Sequence, residues 1–104
     1  MTKKEFFLQK IIPQVEEQIF VYDFQLIRNQ YLLERLNKEL EAVNKSLIVP
    51  PGANQNQFLK EREKKMEELQ KEIEKVKENI AYLPLMKAEE EEFLKYLKTL
   101  VEKM

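Results

Sequence analysis

From Leu8 to Leu47 the apolar residues recur at steps that alternate between four and three without a slip. They are Leu8, Ile12, Val15, Ile19, Tyr22, Leu26, Leu33, Leu36, Leu40, Val43 and Leu47, with Asn29 taking one turn in the series. A strand would need a step of two, whereas a helix of 3.6 residues per turn gathers this spacing on one narrow stripe, the seam of a coiled coil. Composition agrees: 36% of the residues are charged, 43% are hydrophobic, and Gly52 is the single glycine. That mixture at a helical period is typical of long amphipathic helices, and the apolar share is too high for a disordered polyampholyte.

Local chemistry places the helix ends. Thr2-Lys3-Lys4-Glu5 reads as a capping box, with Met1 and Phe6 spaced for a hydrophobic staple, so a helix should begin at about Lys3. Pro13 lacks an amide hydrogen and crowds the preceding turn, which predicts a kink; the stripe keeps its phase across it, so a loop there is disfavoured. Asn29 on the seam either sets register and oligomeric state or marks a wet point in the stripe. Val49-Pro50-Pro51-Gly52-Ala53-Asn54 cannot continue a helix, and Leu47-Ile48-Val49 beside it is expected to seal the end of a hairpin. Asn54, with Gln57 three residues on, resembles the cap of a second helix. There the pattern resumes as Leu59, Arg62, Met66, Leu69, Ile73, Val76, Ile80 and Leu83. Pro84 then predicts a break. Glu89-Glu90-Glu91-Glu92, suited to the positive end of a helix dipole, leads into Phe93, Leu94, Tyr96, Leu97, Leu100, Val101 and Met104.

The expectation is a single all-α domain over residues 1–104, with helices at 3–47, 56–83 and 86–103 and a turn at 48–55. Two arrangements suit it: a long antiparallel helical hairpin (a coiled coil) with proline kinks and a short third helix, or a three-helix bundle. Counted from the turn, Pro13 and Pro84 would lie at similar heights, which favours the bent hairpin.

The first arm has more apolar surface than one seam uses. Phe20, Phe24, Ile27 and Tyr31 follow four-three-four spacing and form a second stripe away from the first. A helix apolar on two sides must be covered on both. Three coverings are open: the third helix folding back with Phe93, Leu97 and Leu100, a second copy of the chain (a dimer favoured), or another protein. These four residues are the candidate protein interface, and Asn29 is the candidate register-setting residue.

Catalysis finds no support. There is no cysteine and no histidine, so thiol and imidazole chemistry and Cys/His zinc sites are excluded. The hydroxyls of Thr2, Ser46 and Thr99 have no histidine to activate them. One glycine cannot build a phosphate-cradling loop, and consecutive glutamates on a helix point in different directions, so no cofactor and no metal is expected. Net charge is −1, and the densest basic cluster, Lys60 to Lys65, is interrupted by Glu61 and Glu63, so direct nucleic-acid binding is not expected. No apolar run is long enough for a membrane span and no signal peptide is evident, giving a cytoplasmic or intravirion expectation.

The helix–turn–helix outline resembles prefoldin-type and tubulin-cofactor-type chaperones, and small secretion or phage assembly chaperones, in architecture alone. Residues 48–56 are too few for a prefoldin β-hairpin. The uncharged tip, Ile48 to Gln57, lacks the acidic residues of transcript-cleavage factors. The functional expectation is a non-enzymatic, self-associating protein-binding module, acting as an assembly factor, adaptor or chaperone-like protein. A structural component of a larger particle such as a virion, or a small regulator inhibiting a host enzyme or nucleic-acid machine, are the alternatives.

Overall fold

The computed structural model describes residues 1–45, 52 and 54–104. The expected turn residues Ser46 to Pro51 and Ala53, including the apolar patch Leu47-Ile48-Val49, lie outside the described residues. The fold is all-α. Helix α1 (Lys3–Phe6) passes through a π-helical turn (Phe7–Ile11) into α2 (Ile12–Lys45), and α3 runs from Gln55 to Glu102. Within each of the two compact units described below, α2 and α3 pack against each other.

The helix starts follow the capping chemistry. Thr2 Oγ1 accepts from the Glu5 amide at 3.2 Å, and the Phe6 amide donates to the Thr2 carbonyl at 3.0 Å. The staple does not form, because Met1 stays largely exposed while Phe6 meets the ring of Phe7. At α3, Asn54 Oδ1 accepts from the amides of Asn56 and Gln57 at 3.0 and 3.3 Å, satisfying donors that have no intrahelical partner. Gly52 has φ +81°, a left-handed conformation that side chains disfavour.

Pro13 acts differently from the expected simple kink. Its ring would collide with the carbonyl four residues back, and the π-helical turn immediately before it widens the backbone there. The Ile12 amide reaches back five residues to the Phe7 carbonyl. One extra residue in a turn rotates everything before it by about a quarter-turn or more, roughly 100°. The seam changes accordingly: Phe7 and Ile11 pack against the core, whereas Leu8, on the predicted stripe, is 49% exposed.

Pro84 does not break the second arm. α3 continues through it, so the separate helix at 86–103 and the three-helix bundle are both replaced by one helix from Gln55 to Glu102. Along α3, besides Phe58 and Met86, the buried and half-buried positions are Arg62, Met66, Leu69, Ile73, Val76, Ile80, Leu83, Lys87, Glu90, Leu94, Leu97 and Val101, still alternating four and three. Packing on both sides of Pro84 overrides its local penalty of about 3 kcal/mol. Glu89 to Glu92 therefore lie mid-helix, and their expected role at a helix start does not apply.

The chain divides into two compact units, Met1–Arg28 with Ile80–Met104, and Asn29–Asn79. In the first, Ile12, Leu97 and Val101 form a buried cluster, with Phe7, Ile11, Val15 and Leu94 packed on it. Lys87 Nζ reaches Asp23 Oδ1 at 2.7 Å. Ile12 thus meets the far end of α3 while Asp23 meets the neighbourhood of Pro84, so Pro13 and Pro84 do not share a level.

In the second unit Leu69 and Ile73 are buried. Arg62, which interrupts the apolar stripe in the sequence, caps the end of α2. Its Nε donates to the Val43 carbonyl at 3.1 Å and its Nη2 to the Asn44 carbonyl at 2.8 Å. Both carbonyls lie in the last turn of α2, where the cation suits the negative end of the helix dipole.

Candidate functional site

Among the described residues no buried side-chain polar atom lacks a partner, and no cluster of Cys, His, Asp or Glu could hold a metal ion. No described helix is long and apolar enough to cross a membrane. Among the described residues, the groove lined by Val43, Phe58, Glu61, Arg62 and Lys65 is open to solvent.

The predicted stripe on α2 is in the open. Phe20 is 69% exposed, Phe24 60% and Ile27 64%, all in the first unit; Tyr31, one turn further in the second unit, is exposed too. Their outward position follows from the seam: Ile19, Tyr22 and Leu26 turn inward, so residues one or two positions away on the same turns point out. Of the three coverings left open by the sequence, the one by Phe93, Leu97 and Leu100 of a third helix does not occur. Leu97 is buried against Ile12 and Val101, and with α3 continuous there is no third helix to fold back.

Sequence reasoning missed a second exposed series on α3. Tyr82, Met86, Glu89, Phe93, Tyr96 and Leu100 alternate four and three. All except Met86 are exposed, and Leu85 is exposed beside them. The signal is present as spacing, but Pro84 suggests that Tyr82 and Phe93 belong to different helices, and Glu89 interrupts the apolar run.

Electrostatics orders the first unit where its seam turns polar. Lys87 occupies a seam position and donates to Asp23 at 2.7 Å, with Glu91 at 3.7 Å. The hydrogen bond to Asp23 raises the Lys87 pKa above its ordinary value. A raised lysine pKa means that the pair stabilises the fold at neutral pH, and that this contribution fades as pH climbs through the folded-state value. Other ion pairs, Glu41–Lys45 at 2.8 Å and Arg35–Glu39 at 3.5 Å, join exposed groups one turn apart and contribute little.

Asn29 is half-buried in the second unit, and its Oδ1 accepts from Asn79 Nδ2 on α3 at 3.4 Å. A polar pair across an apolar seam favours the one register in which the two amides meet. Changing Asn29→Leu should raise stability by about 1 kcal/mol, from added apolar burial, and broaden the oligomer distribution. Thermal melts and light scattering check both; an unchanged profile in each would make Asn29 a bystander.

Comparison with protein-family models, with characterised proteins and with solved structures finds no match to this chain.

Proposed function

We propose that this chain is a non-enzymatic protein-binding module whose working surface is the Phe20/Phe24/Ile27/Tyr31 stripe of α2, and that it self-associates through that stripe, as an assembly factor, adaptor or chaperone-like protein would. The observation that carries the reading is the exposure of Phe20, Phe24 and Ile27, three large apolar side chains at helical spacing in the first unit. Contiguous patches of that kind usually mark interaction sites. Burying each such side chain is worth roughly 1.5–3 kcal/mol, so the set supplies a strong drive to associate. The absence of histidine and cysteine from the sequence supports the non-enzymatic part. A net charge of −1 leaves little repulsion between copies. A cytoplasmic or intravirion setting, and service as a structural component of a larger particle, fit the same surface.

The test is absolute mass by light scattering over a concentration series. Wild type should exceed monomer mass, and Phe24→Asp with Ile27→Asp should lower that mass while helicity by circular dichroism stays the same. Association undiminished in the double variant would remove this stripe from the interface.

A further inference from the structure

The Tyr82–Leu100 face of α3 has the spacing, chemistry and charge to be the other half of the α2 contact. We propose that the Phe20/Phe24/Ile27 face of one copy seats antiparallel on the Tyr82/Phe93/Tyr96 face of a second copy, so that each chain donates one face and receives the other. This rests on the self-associating role given above to the α2 stripe, and names its occupant.

Exposure gives the first argument. Phe20, Phe24 and Ile27 on α2 and Tyr82, Phe93 and Tyr96 on α3 are all exposed within the first unit. A contact through α2 alone would leave the α3 face in water, whereas seating one face on the other covers both.

Charge gives the second argument and decides between like and unlike pairing. Glu89 sits within the α3 face, between Leu85 and Phe93, and Glu92 flanks it. Two copies of that face together would bring acidic centres into contact, and like charges juxtaposed at an interface oppose association. The α2 face instead carries exposed Arg28 beside Phe24 and Ile27. Neither Arg28 nor Glu89 has an ion-pair partner among the described residues. With Phe24 set opposite Phe93 in antiparallel helices, four residues forward on α2 is Arg28 and four back on α3 is Glu89. One register therefore aligns the aromatic rings and the unpaired charges.

Unlike faces produce a heterologous contact, which repeats from copy to copy and either closes into a ring or grows. The test uses two full-length variants: Phe24→Asp with Ile27→Asp, and Phe93→Asp with Tyr96→Asp. All four positions are exposed, so the seam is untouched, and circular dichroism confirms helicity. Each variant alone should be monomeric by light scattering. Mixed, they should form a 1:1 heterodimer, since each retains the face that the other lacks. Reversing charge in the mixture, Arg28→Glu on the chain supplying α2 or Glu89→Arg on the chain supplying α3, should weaken the heterodimer roughly three- to tenfold, and both together should restore it.

If the α3 variant keeps wild-type mass while the α2 variant is monomeric, α2 pairs with itself; the pairing of unlike faces falls and the α2 reading stands. Two monomeric variants that ignore each other on mixing would overturn it as well. Failure of the α2 variant to lower the mass, or a monomeric wild type, would overturn both.

Discussion

Leu97→Ala should remove about 2–5 kcal/mol of stability, the loss expected when a buried leucine is truncated to alanine. Leu97 is one of six buried apolar residues among those described, and it contacts the cluster of Ile12 and Val101 that anchors the first unit. A domain of about a hundred residues has only 5–15 kcal/mol in total, so this one cavity consumes a large share. The cause is geometric. Two packed helices give each other one narrow stripe, and few neighbours can collapse into the space that a deleted isobutyl group leaves. Leu100, three residues on and 39% exposed, is the internal control; Leu100→Ala should cost well under half as much. Urea unfolding followed by circular dichroism measures both. Equal losses at the two positions would mean that the α3 seam is not the face holding the first unit together.

The contrast between seam and surface is legible in residue spacing alone, because the seam depends on a period and periods survive in sequence. Ile12 through Val43 lie where the alternation of four and three puts them, and Asn54 caps where its spacing to Gln57 indicates. The α2 stripe is legible for the same reason: four apolar residues in phase with each other, and out of phase with the seam, have to face away from it. Spacing does not reveal what a local signal does when packing opposes it. Pro13 is absorbed by a π-helical turn, and that turn shifts the seam by one residue, exchanging Leu8 for Phe7 and Ile11. Arg62 looks like a defect in a stripe until its length brings the guanidinium to the carbonyls of Val43 and Asn44, eighteen or nineteen residues away in sequence. Lys87 and Glu90 occupy seam positions that a hydrophobic count skips, and only the tertiary contact reveals Asp23 as the partner of Lys87. Asn79 is similarly invisible, since a hydrogen bond across helices leaves no mark on a single helix's period.

Pro84→Ala should raise stability by about 2 kcal/mol and the melting temperature by roughly 8–15 °C. Proline costs about 3 kcal/mol relative to alanine inside a helix, because it removes one backbone hydrogen bond and its ring presses on the preceding turn. Part of that cost is offset already: proline restricts the unfolded chain, worth about 0.4–1 kcal/mol that alanine gives back. The remainder should appear as a gain, because Pro84 is exposed and alanine there opens no cavity. The Ile80 carbonyl would recover its amide partner, while Leu83 on one side and Lys87 on the other would keep their seam positions. Denaturation midpoints for wild type and variant decide the matter. A midpoint that does not rise would mean that the backbone around Pro84 opens before the cooperative transition, so that the helix there adds nothing to the stability being measured. A rise of the expected size would show α3 folding as one helix through Pro84, held by the seam on both sides. In that case Tyr82 and Phe93 share a continuous helical face, which the proposed pairing with α2 of a second copy requires.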